Sequence, residues 1–347
     1  MMVDGDREIC VSFVHGFHDH VPADQDGPRP ALWTIDRVGE HTFDYYFLLK
    51  PADFDRVPYP IIGEGPGPRS ACPGWRPRYG FTGLARVNDY LLAGSWNGIY
   101  RLDAATKRVE SFITNRSTCY IHRFWADADQ IIFVMPFQDM VVIMDHGGHI
   151  IDRFTVDRQL AISRDLPDPN VDWRFVTKPW PGATGVFHFN SVQNIGGQIY
   201  LLSRNLGAFV VVDPGADRAT LRTMNYWTPT CVHDGDFVDN RFFLSSIDGK
   251  ILVATEPPEY DSKIFRYDLQ VERLGLNGVE NNWCRGIAVT ADSLYTTIDG
   301  RYGTDLSFGL LRLSRDGKKL DERRFRWADV GDEKEIRYVT GFDIVVE

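Results

Sequence analysis

The stretch HRFWADADQIIFVMPFQDMVVIMDHGGHIIDRF, residues 122–154, sets short apolar runs between tight polar breaks. QIIFVM, MVVIMD and HIIDRF are rich in Ile, Val and Phe, and Asp, Pro and Gly separate them. Runs this short, bounded by turn residues, read as β-strands rather than helices. The stretch therefore predicts a small antiparallel meander. Both faces of its sheet are apolar, so it needs cover on each side.

The same rhythm recurs along the chain. TGLARVNDYLLAGSWNGIYRLDAATKRVESF begins at Thr82, NSVQNIGGQIYLLSRNLGAFVVVD at Asn190 and HDGDFVDNRFFLSSIDGKILVAT at His233. RGIAVTADSLYTTIDGRYGTDLSFGLLRLSRDGKKLDERRF begins at Arg285. A four-strand unit repeating at roughly 40–50 residues is the signature of β-propeller blades, because each sheet is covered only when its neighbours pack against it. The chain ends supply one more unit. TGFDIVVE from Thr340 reads as an innermost strand, and EICVSFVHG, PALWTIDRV and TFDYYFLL near the N-terminus read as its partners. Pairing the two ends in one blade removes exposed edges.

The expectation is an all-β, six-bladed propeller in one domain. Its four-stranded blades fall at 340–347 plus 8–50, 80–115, 119–155, 187–224, 231–270 and 283–326, with loop insertions at 51–79 and 156–186. In this blade rhythm the chain resembles the broad group of six-bladed propellers that includes strictosidine synthase-like, gluconolactonase-like and NHL-type proteins. The gluconolactonase metal pattern and the NHL consensus are not matched, and no catalytic residue is carried over.

A net charge of −10 argues against nucleic acid or an anionic membrane as the main partner. No segment approaches the apolar length of a membrane span, and the first residues lack a secretory pattern. The five cysteines are scattered without a CxxC pair, which fits reduced thiols. These features predict a cytoplasmic protein and leave small molecules or proteins as its partners, a small-molecule substrate being the expectation.

Aligning the units on their second strands, YLLAG, IIFVM, IYLLS, FFLSS and LYTTI, brings Thr82, His122, Asn190, His233, Arg285 and Thr340 into one position at the start of the first strands. Two residues earlier, on the same side of a strand of period two, stand Gly80, Tyr120, His188, Cys231, Trp283 and Tyr338. First strands of a propeller line its central channel. His122, His188 and His233 are therefore expected to converge at the channel mouth as a metal site for Fe, Zn or Mn, with Asn190 or Asp234 in support.

Arg285, Tyr120 and Asp234 are the expected catalytic or orienting groups. Asn190, Trp283, Trp180, Tyr338 and Thr82 are expected to contact substrate. For Arg285 the alternative is a salt bridge to Asp343 or Asp236. The cluster His15, His18, Asp19 and His20 reads as a solvated loop tip, and the insertions carrying Trp75, Tyr79, Trp173 and Trp180 read as packed lids. GEGPGP at 63–68 is no phosphate loop, since its prolines remove amide donors.

The leading functional expectation is a metal-dependent enzyme for a small organic substrate, redox-neutral (hydrolase, lyase or isomerase) ahead of an oxygenase. Two other readings stand beside it. One is a metal-free acid/base enzyme of strictosidine synthase-like type; the other is a non-catalytic propeller that presents its face to a ligand or partner.

Overall fold

A computed structural model describes residues 9–16, 31–35, 43–48, 60–63, 78–95, 98–106, 108–115, 118, 121–136, 138–165, 187–224, 232–246, 250–255, 266–274, 283–299, 307–326 and 338–346. Short antiparallel strands dominate them, because Val, Ile, Phe and Tyr alternate or cluster between turn residues throughout.

Along the chain, β1 (Ile9–Gly16), β2 (Ala31–Ile35) and β3 (Phe43–Leu48) are followed by the short β4 (Ile61–Ile62) and β5 (Arg78–Gly80). Next come β6 (Gly83–Val87), β7 (Tyr90–Gly94), β8 (Ile99–Asp103) and β9 (Val109–Ile113). The opening stretch forms β10 (Trp125–Ala126), β11 (Gln130–Met135), β12 (Met140–Asp145) and β13 (Ile150–Val156), with β14 (Ile162–Ser163) after it. β15 (Phe189–Ile195), β16 (Gln198–Ser203), β17 (Ala208–Val212) and β18 (Thr220–Met224) make the next meander. Then follow β19 (Val232–Val238), β20 (Arg241–Ser246), β21 (Ile251–Thr255) and β22 (Arg266–Leu274). β23 (Trp283–Val289), β24 (Ser293–Asp299), β25 (Ser307–Ser314), β26 (Lys319–Arg326) and β27 (Tyr338–Val346) complete the order.

Hydrogen bonds join these strands into five sheets, where the sequence predicts six separate ones. The difference lies at an outer edge: Leu221–Met224 of β18 pairs in parallel with Arg266–Leu269 of β22. That ladder fuses two meanders into one eight-stranded sheet in the order β15-β16-β17-β18-β22-β21-β20-β19. The expectation of four strands per sheet also needs correction, because the insertions add strands of their own. β4 pairs in parallel with β9, and β14 pairs with β13. Each covers an edge that would otherwise present unpaired backbone groups.

Apolar cores lie between successive meanders. Leu92, Ile99 and Ile113 pack with Phe133, Met140 and Val142, and Val134 and Phe154 pack with Val192 and Leu201. Tyr200, Leu202 and Phe209 meet Phe242, Leu244 and Leu252, and Phe243 and Val253 meet Leu294 and Leu311. Cys10 shares a cluster with Leu84, Leu91 and Tyr100. Each fully buried Leu or Phe of this kind contributes about 1.5–3 kcal/mol.

The strands at the inner ends follow in chain order: β6 touches β27 and β10, β15 touches β10 and β19, and β23 touches β19 and β27. β27 itself pairs with β1, Ile344 opposite Val11. The architecture is an all-β propeller. Among the described residues no helix is long and apolar enough to cross a membrane.

Candidate functional site

Three consecutive inner strands share one irregularity that shapes the site. In β15, Phe189 faces Ser203 and Ser191 faces Leu202, leaving Asn190 as an extra residue. In β19, Val232 faces Ser246 and Asp234 faces Ser245, leaving His233 extra in the same way. The slip in β23 falls between Cys284 and Ile287, at Arg285 and Gly286. A bulge of this kind bends the strand and re-aims the side chain it carries. Asn190, His233 and Arg285 therefore occupy corresponding places in three consecutive inner strands.

Hydroxyls from neighbouring strands fasten these segments. Thr82 Oγ1 donates to the carbonyl of Ile121, next to His122. Ser203 Oγ donates to Phe187 at 2.6 Å, next to His188, and Ser245 Oγ donates to the carbonyl of Arg285 itself. His188 adopts a left-handed backbone, φ +48°, a conformation that costs a non-glycine residue about 1–3 kcal/mol and is retained where surrounding bonds enforce it. Here the buried Asp139 carboxylate accepts the N–H groups of Phe187 at 3.3 Å and His188 at 2.9 Å. Arg204 N–H donates to the His188 carbonyl at 3.2 Å. Gly83 is needed at the start of β6, because a Cβ there would lie 2.8 Å from the His122 carbonyl oxygen.

These supports bring the three histidines together. The rings of His122 and His188 are 6.1 Å apart and nearly perpendicular, and those of His122 and His233 are 5.9 Å apart. His122 and His233 are buried, His188 half-buried. Arg285 Nη1 lies 3.4 Å from His233 Nε2. With the guanidinium donating, Nε2 acts as acceptor and the ring proton belongs to Nδ1. Burial, and then the positive charge of Arg285 with His122, Arg204 and His188 behind it, push the His233 imidazole well below its usual pKa.

One residue along from His122 and His233 lies a different assembly. Arg123 Nη1 meets Asp234 Oδ1 at 3.0 Å and donates to the carbonyls of Gly235 at 2.8 Å and Ile287 at 3.0 Å. Its Nε lies 3.7 Å from Asp343 Oδ1. Asp343 also accepts the Leu84 N–H at 2.7 Å, and Gln193 Nε2 donates to the Gly235 carbonyl at 2.9 Å. One guanidinium thus ties the segment before β10 to β19, β23 and β27.

Burial opposes the Arg123 charge, but Asp234, Asp343 and Asp236 outweigh it and hold the guanidinium protonated. Burial pushes Asp234 up to about 8, with the Asp343 charge adding to it and Arg123 opposing it. Asp343 is raised for the same first reason. Two buried carboxyls around one guanidinium favour keeping a proton within the pair.

The structure brings together His122, His188, His233 and Arg285 from the expected site. Asp234 is turned to Arg123, and Thr82 holds the Ile121 carbonyl. Asp343, offered as a partner for Arg285, is engaged by Arg123, while Asp236 accepts the Val289 N–H at 2.9 Å. Trp283 and Tyr338 open β23 and β27 as backbone positions. Tyr120, Trp180, His18, Asp19 and His20 lie outside the described residues, as do Trp75 and Trp173.

Arg123 and Arg204 are functional neighbours that the sequence reading missed. Arg123 carried a signal, standing beside His122 in the column where Asp234 stands beside His233.

The leading functional expectation, a metal-dependent enzyme, is corrected. Among the described residues no three His, Cys, Asp or Glu side chains are grouped so as to hold a metal ion. The physical reason lies in the charges: Arg285 stands against His233, Arg204 adds a second positive charge, and the nearby carboxylates are drawn to Arg123. A dication placed among the imidazoles would face that field without a carboxylate to offset it.

No family model matches the chain, and no curated protein does. Solved structures similar to it include the β-propeller domain of Cps50 (Swd1) from Myceliophteria thermophila, 11% identical, with 74% of this chain and 87% of that one covered and a TM-score of 0.45. YCF48 from Cyanidioschyzon merolae is 12% identical, with coverage of 100% and 96% and a TM-score of 0.47.

Proposed function

We propose that this chain is a non-catalytic binding propeller that takes its ligand at the inner-strand end where His122, His188, His233 and Arg285 meet. The observation that carries this reading is the pairing of Arg285 with His233 at 3.4 Å. A general base works best with a pKa near the operating pH. His233 is instead driven well below its ordinary value, and Asp234 is occupied by Arg123. The cluster is held in place by bulges and hydroxyl clasps, which suits recognition better than proton transfer.

In this reading the eight-stranded sheet counts as two blades, giving six in one domain, with the β27-β1-β2-β3 sheet closing the ring. Support comes from the core in which Tyr200, Leu202 and Phe209 stack on Phe242, Leu244 and Leu252, as separate blades would. The buried thiols of Cys10 and Cys284 fit a cytoplasmic location.

A thermal-shift panel of small anions, cations, sugars, nucleotides and short peptides tests the function, with wild type beside His233→Ala and Arg285→Ala. The expected result is a stabilising compound that loses its effect in both variants and is recovered chemically unchanged. Turnover of that compound, or equal stabilisation of all three proteins, contradicts the reading.

A further inference from the structure

We propose that the ligand held at this site is a carboxylate, carried by a small free acid or by an acidic segment of a partner protein; the inference rests on the binding reading above and specifies its ligand. Arg285 lies against His233, and Arg204 is near enough for its charge to act on the same ring. Guanidinium groups present donors in the fork geometry that matches a carboxylate. Asn190, in the place corresponding to His233, is 1% exposed, and neither its amide nitrogen nor its amide oxygen has a hydrogen-bond partner. A buried amide in that state favours a ligand that satisfies it.

The adjacent assembly shows the same complementarity already fulfilled. There Arg123, with backbone N–H groups, engages the carboxyl groups of Asp234 and Asp343, which share at least one negative charge. A net charge of −10 opposes long polyanions such as nucleic acid, and the site engages one carboxylate, from a small acid or from one acidic side chain of a partner.

Binding also has a proton balance. In the free protein Arg285 donates to a neutral His233. An arriving carboxylate draws the guanidinium to itself and stabilises an imidazolium beside it, so His233 takes up a proton from solvent. The largest charge effects on His233 come from Arg285, His122, Arg204 and His188, all of one sign when protonated. An anion relieves that repulsion. Affinity therefore rises as the pH is lowered toward the range in which His233 takes up its proton.

Isothermal titration calorimetry of the full chain with succinate, an acetyl-Glu-Asp-Glu-amide peptide and inorganic phosphate tests the proposal. Wild type is compared with Arg285→Ala, His233→Gln and Asn190→Ala, each shown by thermal unfolding to remain folded. The expected result is carboxylate binding that tightens with falling pH and weakens about tenfold or more in Arg285→Ala, as for the loss of one charge-assisted hydrogen bond.

Binding of succinate assigns the free acid as a ligand, and binding of the peptide alone assigns the partner segment. Phosphate binding tighter than either carboxylate overturns the ligand class, as does carboxylate binding unaffected by all three variants. If neither carboxylate binds while a neutral or cationic compound from the panel does so in a His233-dependent way, the carboxylate proposal fails and the binding propeller stands. If nothing binds at these residues, both fail.

Discussion

Two polar clusters sit side by side on the inner strands, and they differ by one residue of register. Arg123, Asp234 and Asp343 join opposite charges from separate sheets, with backbone carbonyls and N–H groups completing the contacts. His122, His188, His233 and Arg285 gather groups of like sign when protonated. The first cluster uses its buried charge on the protein itself and holds strands together. The second joins groups that repel one another when protonated, and in the proposed reading it meets a ligand. His233 and Asp234 thus serve different ends because the bulge in β19 re-aims the side chain it carries, and His122 and Arg123 divide in the same way in the segment before β10.

The comparison is broken most forcefully by removing Arg123. Arg123→Met leaves Asp234 and Asp343 buried without their cation, and the expected loss is about 3–5 kcal/mol of unfolding free energy, read from urea denaturation. A loss below about 1 kcal/mol would mean that the assembly does not tie the inner strands. Asp139→Ala is next. It removes the acceptor for two N–H groups beside the left-handed His188, with an expected loss of about 1–3 kcal/mol and weaker ligand binding through a displaced ring. Unchanged binding would show that His188 is not held by Asp139.

Dependence on pH sharpens the contrast, since the clusters titrate in opposite senses. The Asp234 carboxyl is raised from 3.8 to about 8, so the folded chain retains a proton that the unfolded chain releases. Its contribution is complete below about 3.8 and is lost as the pH climbs through about 8. Asp234→Asn should flatten that alkaline decline. His233 is lowered from 6.5, so the unfolded chain binds the proton that the folded chain refuses, and stability falls as the pH drops below about 6.5. His233→Gln should flatten that acid decline and leave the alkaline one. Paired stability curves of the two variants check both slopes. The smallest effect is expected for Arg285→Met, within about 0.5 kcal/mol of wild type, because its charge faces others of the same sign.

Much of this molecule was legible in its sequence. The meanders of QIIFVM, MVVIMD and HIIDRF, and the convergence of His122, His188 and His233, followed from strand period and blade alignment, which are local signals. The β18–β22 ladder was not legible. TLRTM and RYDLQVERL are outer strands with mixed polarity, and their pairing depends on how two whole meanders stack. Arg123 was missed for a related reason: the carbonyls it binds are 112 and 164 residues away, and no spacing rule spans such distances. The metal expectation failed because pattern alone placed the imidazoles but not the Arg204 charge beside them.

The most direct test of the account is an NMR titration of the His233 imidazole, assigned by its absence in His233→Gln and recorded with and without succinate. The expected result is a pKa well below 6.5 in the free protein and a rise on adding succinate, as Arg285 turns from the ring to the carboxylate. A free-protein value at or above 6.5 that succinate leaves unmoved would contradict it.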